Sequence, residues 1–494
     1  VGTELMEAEV AKARDRLGQW NSNVQGLNLV CGDFFGFSID NEALKFDAIV
    51  GNPPFIRYQA FPEPLRSKAI HLMTLEGLTP NRLTNIWVPF VVASVRMLKP
   101  GGRLAFVLPA ELLQVTYAGQ LRSYLTDRFT SLHIVACNEL FFPSAEQEVV
   151  LLLADGALPA TNIRNRCSVR VTETKNVEEL LASRPEDLLG EAQEKIVCHE
   201  SEKWLKYFLT QTEIDLMREM KASQSVGTLG SHAEVDVGVV TGKNEFFVLA
   251  EAEVKALGLE AFTTRLVSRS AHLHGTRIGK ADWEQLASLG DRVFLLDLAP
   301  FKGKEPKGSL AEYIAHGELN KVHEGYKCSI RKAWYEVPSV WAPEGFLFRQ
   351  IYDFPRMVLN CAGATSTDTI HRVRCEEADP ERVVANTYTW LTAASAEIEG
   401  RSYGGGVLEL EPTEAERLLM PKVLNGAMPL AEADKLMRQG RLNDVLEENA
   451  RIVLQGHMGL SERDCKVLAG VWEKMRDRRL NRRRKGVKPR VAKQ

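Results

Sequence analysis

The sequence predicts an α/β protein: an open sheet first, then a second α+β part. Three observations support this. Short, apolar, strand-forming runs alternate with helical spacing through residues 1–155. Acids and turn residues stand at the carboxyl ends of those runs, where open α/β sheets bind ligands. From residue 226 the pattern changes to short strands joined by glycine-rich turns. At 494 residues the chain has room for two or three domains, each with its own core. Its 45% hydrophobic and 26% charged residues are those of a globular protein, and a net charge of −3 gives no global pull toward nucleic acid. Such binding has to come from local basic patches.

Val1-Gly2-Thr3-Glu4-Leu5 reads as a strand end, and residues 6–16 follow with helical spacing. Residues 27–30 make another strand, closed by Cys31-Gly32-Asp33. Glu4 and Asp33 therefore fall at strand carboxyl ends, where a carboxylate can hold ribose hydroxyls. Glu4 equally suits a helix first-turn acid, and Asp33 a turn-forming residue after Gly32. Residues 46–50 form the next apolar run, and Gly51 breaks it, which puts Asn52-Pro53-Pro54-Phe55 on a loop. Residues 85–98 have helical spacing, Lys99-Pro100-Gly101-Gly102 stops them, and 103–108 return as a buried strand. An aromatic loop, Leu140-Phe141-Phe142-Pro143, precedes a strongly apolar strand at 148–154.

The loop at 52–55 carries the chemistry. Asn52 offers a side-chain carbonyl, and two consecutive prolines fix φ and remove backbone donors, so nearby carbonyls become a rigid acceptor platform. Phe55 adds a flat face. Acceptors beside an aromatic plate suit a planar base bearing an exocyclic amine, which donates both N–H groups to Asn52 and the Pro53 carbonyl. Those bonds draw the amine toward tetrahedral geometry and free its lone pair to attack a methyl sulfonium in line. The chemistry asks for neither a metal nor a strong base.

Phe-Asp-Ala-Ile-Val-Gly-Asn-Pro-Pro-Phe resembles the catalytic motif of class I amino-methyltransferases, in the form found in gamma-group DNA adenine-N6 methyltransferases of restriction-modification systems. The resemblance implies a Rossmann-like sheet and S-adenosyl-L-methionine as cofactor, with Glu4 at its ribose and Asp33 at its adenine amine. It implies that Asn52, Pro53, Pro54 and Phe55 are catalytic, that Phe142 is the second plate, and that double-stranded DNA presents a flipped base. Tyr58 lies near enough to contact the substrate strand. The helix, Pro-Gly-Gly turn and strand at 85–108 recur in such enzymes as structure. The family's glycine-rich cofactor loop, of the type Asp-Pro-Ala-x-Gly-x-Gly, is expected upstream of Glu4. The sheet is thus expected to be incomplete at its amino end, and residues 1–494 alone to bind cofactor poorly and to be inactive.

Residues 156–225 are expected to be a helical connector, 226–430 a target-recognition domain, and 431–494 a helical segment with a disordered basic tail. Basic and aromatic residues interleave at Tyr326-Lys327, Arg331-Lys332-Ala333-Trp334-Tyr335 and Arg401-Ser402-Tyr403, and Thr365-Ser366-Thr367-Asp368-Thr369 adds a row of hydroxyls. Thr241-Gly242-Lys243-Asn244-Glu245-Phe246-Phe247, with the later Trp-Tyr and Gly-Arg-Ser-Tyr segments, resembles the recognition region of the same methyltransferases. Lys243, Arg331, Lys332 and Arg401 are the candidate DNA contacts, each equally suited to a solvated face. The tail from Arg476 to Lys493 is expected to attract DNA without sequence preference.

Eight scattered cysteines, with no Cys-x-x-Cys pair, argue for reduced thiols, a cytoplasmic location and no structural zinc. No apolar run reaches membrane-span length. A nuclease partner is expected, where there is one, as a separate chain. Two other functions share features of this sequence: a methyltransferase acting on RNA or protein glutamine, and a non-catalytic DNA-binding specificity module.

Overall fold

Glu4 and Cys31 lie opposite one another in a short parallel pair, β1 (Gly2–Glu4) against β2 (Leu29–Cys31). Helix α1 (Glu7–Trp20) joins them, and α2 (Phe34–Asp40) follows directly. This computed structural model describes all residues except 21–27, 82–83, 140, 143–147, 160–166, 191, 198–201, 302, 304, 376, 404 and 482–494. The chain divides into two compact units, Val1–Gln211 and Thr212–Gln494. Among the described residues no helix is long and apolar enough to cross a membrane.

In the first unit β3 (Phe46–Gly51) runs parallel to β4 (Leu98–Pro109) at the edge of a six-stranded sheet. Next to β4 comes β6 (Val149–Ala157), then β5 (Phe129–Cys137), β7 (Ser168–Thr174) and β8 (Glu194–Lys195). One face of the central strands is fully covered, with Leu104, Leu108, Leu132, Ile134, Val150 and Leu152 buried, while Ala105, Val107, Leu151 and Leu153 on the other face are half-buried. Each of the buried side chains contributes about 1.5 to 3 kcal/mol. Helices α3 (Leu65–Leu75) and α4 (Trp87–Arg96) join α2 in an apolar cluster of Phe35, Phe61, Leu72, Ile86 and Ala93.

Three expectations need correction. Lys99-Pro100-Gly101-Gly102 was expected to stop a helix before a strand, but it lies inside β4. Phe46 pairs with Leu98 and Ala48 with Arg103, so these residues form a bulge, with Gly101 at φ 79°. Residues 156–225 are no simple helical connector: β7 pairs in parallel with β5, since Val169 and Val171 alternate with polar neighbours, and the boundary between units falls at 211/212. The first part of the basic tail is ordered. Arg476, Arg478 and Arg479 belong to the helix Glu462–Asn481, and Arg479 is buried against Glu397 because the helix turns that face inward. Residues 482–494, which carry the rest of the tail, lie outside the described residues.

The second unit holds a five-stranded and a four-stranded sheet. The strands Gly345–Phe348 and Ile370–Arg374 are central to the first, and Arg292–Leu296 and Thr263–Val267 to the second. The helices Trp390–Glu399 and Glu462–Asn481 pack together within this unit, so the segment from 431 is not a separate appendage.

Candidate active site

At the end of β3, Gly51 stands opposite Phe106, and a Cβ on it would come within 3.0 Å of that ring. A larger residue there would push the Phe106 ring aside by a few tenths of an ångström, so glycine suits the strand end. The chain then leaves as an extended segment in which Asn52 and Pro54 are exposed, Pro53 is buried and Phe55 is half-buried. Its far side is tied down as well. Arg57 and Asn85 form an isolated antiparallel bridge, and Ile86 N–H donates to the Ile56 carbonyl at 3.0 Å. The Asn-Pro-Pro-Phe segment is therefore an arch fixed at both feet, one on β3 and one at the start of α4. The Asn52 amide makes no hydrogen bond among the described residues and faces outward.

Tyr58, half-buried, begins a short turn of 3-10 helix beyond the arch, with the Arg66 guanidinium 5.3 Å from its ring centre. Asp33 caps α2, its two oxygens accepting from Phe35 N–H at 3.1 Å and Gly36 N–H at 2.8 Å. Lys68 Nζ approaches the second oxygen at 3.1 Å. Glu4 is exposed and accepts only from Met6 N–H among the described residues, at 3.1 Å. Gly32 N–H donates to the Glu4 carbonyl at 2.9 Å, so the two acids stand on adjacent strand ends.

The same helical layer serves both places. Phe34, next to Asp33, stacks on Phe90 of α4 with ring centres 5.2 Å apart and planes 4° apart. The start of α4 holds the arch. Phe142 is 45% exposed, and the neighbouring 140 and 143–147 lie outside the described residues.

Two residues of this site went unnoticed in the sequence. Lys68 is invisible there because its partner Asp33 is distant in the chain. Asn85 is 8% exposed, and its side-chain carbonyl has no hydrogen-bond partner among the described residues. A polar residue opening the run Ile86-Trp87-Val88 was the available signal.

In the second unit Lys243 and Arg331 come together, but Arg331 turns inward. Its Nη2 donates to the Val240 and Thr241 carbonyls at 2.8 Å each, and its guanidinium lies over Phe247, so burial lowers its pKa. Lys332 is exposed, and Lys243 pairs with Glu245 at 2.8 Å. Arg401 lies elsewhere, in an ion pair of 2.8 Å with the buried Glu414. Trp334 packs on Phe246 and Phe247 in the core. The hydroxyl row is internal too: Thr365, Ser366 and Thr367 are buried, with Ser366 donating to Ile370 and Thr367 to Ser268. Ser366 and Thr367 serve the fold through these bonds, while the buried Thr365 hydroxyl has no partner among the described residues.

An α/β sheet with an exposed Asn-Pro-Pro-Phe arch at a strand's carboxyl end is the arrangement of a class I methyltransferase. Residues 6–142 match the family described as Eco57I restriction-modification methylase. Residues 201–454 match Type II methyltransferase M.Eco57I, C-terminal domain, and the chain belongs to this family. M.AccI of Acinetobacter calcoaceticus, a Type II methyltransferase, is 22% identical over 415 residues, covering 81% of this chain and 73% of the relative. M.XamI of Xanthomonas campestris pv. amaranthicola is 22% identical over 386 residues, covering 76% and 68%. The solved structure of the Type IIL restriction-modification enzyme MmeI in complex with DNA has the same fold: TM-score 0.56 at 12% identity, over 97% of this chain and 66% of that one. The chain is thus homologous to restriction-modification DNA methyltransferases.

Proposed function

We propose that this protein transfers a methyl group from S-adenosyl-L-methionine to the exocyclic amine of adenine at a specific DNA sequence. The observation that carries the proposal is the arch at 52–55, held at both ends and open to solvent at Asn52. A flipped adenine stacks on Phe55 and donates its two amino hydrogens to Asn52 Oδ1 and the Pro53 carbonyl. The prolines keep those acceptors fixed, so little reorganisation is needed as charge develops on the nitrogen. Phe142 is the second plate, and Tyr58 borders the substrate strand.

Glu4 and Asp33 fit a nucleoside: an exposed carboxylate and a helix-capping carboxylate, on adjacent strand ends, suit ribose hydroxyls and an adenine amine. The bound cofactor supplies an electrophilic methyl on sulfur. Among the described residues β3 pairs with β4 alone and β1 with β2 alone, and Val50 on β3 is 80% exposed. Lys243, Lys332 and Arg401 belong to the DNA-recognition half, with Arg331 holding the Lys243 loop. The work is cytoplasmic, and a cognate restriction endonuclease is a separate chain.

The test is tritiated methyl transfer to unmethylated bacteriophage DNA, followed by nucleoside analysis. It compares the chain with its Asn52→Ala variant. The expected result is N6-methyladenine as the methylated base and no incorporation with Asn52→Ala. Methylcytosine as the product, or full activity in Asn52→Ala, would overturn the proposal.

A further inference from the structure

Two segments of the second unit, distant in sequence, are locked into one surface element. Gly242 has φ 85°, and a Cβ on it would lie 2.8 Å from Lys327 Cβ, so the 241–243 loop presses directly on the turn Tyr326–Ser329. Arg331 clamps them by donating to the Val240 and Thr241 carbonyls from one nitrogen and to the Trp334 carbonyl at 3.3 Å from another. Cys328 Sγ adds a weak bond to the Thr241 carbonyl at 3.9 Å.

This framework presents an unusual outer face. Tyr326 is 74% exposed and Ile330 64%, one helical turn apart. Leu319, 82% exposed, closes the helix Ser309–Leu319, and both that helix and the Tyr326 turn pack on Val322–Glu324. Lys327 and Lys332 are exposed and have no acidic partner among the described residues. Lys243 and Lys321 have only the exposed Glu245 and Glu324, and pairs of that kind separate easily. Other exposed lysines of the unit are of both kinds: Lys255 and Lys466 pair with Glu251 and Glu462 one helical turn away, while Lys422 and Lys435 have no acidic partner among the described residues.

We infer that this face is a DNA wedge: Lys243, Lys327 and Lys332 hold phosphates on the two sides of a groove, while Tyr326 and Ile330 press between base steps. The inference rests on the proposed action on DNA and adds where and how the duplex is deformed. Lys327 and Lys332 without an acidic partner among the described residues, and Lys243 in an exposed and easily separated pair, match a stacked polyanion around apolar side chains. They suit an apolar protein partner poorly, because docking one would bury those charges unpaired. Bending a duplex at a wedge also weakens stacking, which favours extrusion of a base. Arg331 is then a positioning residue for Lys243, not a phosphate contact.

The test uses the full chain and a mixed-sequence duplex labelled at both ends. Affinity is followed by anisotropy across a salt series, and bending by energy transfer. Lys243→Ala/Lys327→Ala/Lys332→Ala is expected to reduce the slope of log affinity against log salt by about 3. Tyr326→Ala/Ile330→Ser is expected to keep the wild-type slope while losing the bend and about tenfold in affinity. Lys255→Ala, at a paired lysine, is expected to change neither, and melting temperatures confirm that each variant is folded. If the wild type fails to bind DNA, the underlying functional reading is wrong. If it binds and bends DNA and either multiple variant behaves like it, the wedge is wrong.

Discussion

The main chain of Arg57 is bridged to that of Asn85, while the side-chain carbonyl of Asn85 is buried beside that bridge without a donor among the described residues. An unpaired buried acceptor costs about 1 to 3 kcal/mol, and the arch would be tied down equally well without it. Asn85→Leu, similar in shape and apolar, is therefore expected to raise the thermal stability of the first unit by about 1 kcal/mol. A kept liability of this kind beside a candidate active site points to a functional use, so methyl transfer should fall in the same variant. Calorimetric melting together with the methyl-transfer assay checks both halves. A lower melting temperature in Asn85→Leu would mean that the amide is structural.

Asp33 has a structural duty whatever it binds. Its oxygens cap α2 through Phe35 and Gly36, and Lys68 closes on one of them. Removing a helix cap costs about 0.5 to 2 kcal/mol. Asp33→Ala is expected to lose that much, Asp33→Asn to keep most of it, and Glu4→Ala to melt within about 0.5 kcal/mol of wild type, as an exposed surface change does. Thermal melts of the three variants decide the matter, and an unchanged Asp33→Ala would remove the cap from the account.

The alternation of strands and helices through residue 155 was legible because apolar runs ended at Gly, Pro and Asp, and the arch was legible because Gly51 and two prolines dictate it locally. What the sequence hid depends on partners far along the chain. Arg331 and Arg401 look like surface bases, yet one bonds carbonyls near residue 240 and the other a buried glutamate. Thr365 to Thr367 look polar and solvated, but all three are buried, and the Ile370 and Ser268 carbonyls accept from the hydroxyls of Ser366 and Thr367. The strand at 168–174 did alternate, and its short Ser-Val-Arg-Val-Thr pattern was lost in a charged stretch.

His133 makes the first unit sensitive to acid. Thr172 Oγ1 donates its one hydrogen to the Leu188 carbonyl at 3.1 Å, so His133 Nε2, 2.7 Å away, must be the donor to that hydroxyl. Nδ1 is left bare and buried, and a proton there would have no acceptor. Burial, helped by Arg170, pushes the pKa down to about 4. The unfolded chain binds a proton near pH 6.5 that the folded chain refuses, so stability is whole above that pH and is lost as pH falls toward 4. The loss between pH 7 and pH 5 is on the order of 2 kcal/mol. His133→Gln should flatten the pH dependence of melting, and an unaltered curve would place the acid sensitivity elsewhere.

Arg479 and Glu397 are both 3% exposed at their side chains and meet through two bonds, Nε to Oε2 at 3.0 Å and Nη2 to Oε1 at 2.6 Å. Burial raises the Glu397 pKa even with this partner. Breaking such a pair leaves an uncompensated buried charge, so Arg479→Met and Glu397→Leu should each cost about 3 to 5 kcal/mol in urea unfolding. The double variant removes both charges and should recover most of that. It should not recover all, since Arg479 also donates to the carbonyls of Ile351 and Tyr352, at 3.3 and 3.2 Å, and those acceptors would be left short. A residual deficit of about 1 to 2 kcal/mol is expected. If the double variant lost as much as the two singles added together, the helix Glu462–Asn481 would be held by something other than this pair.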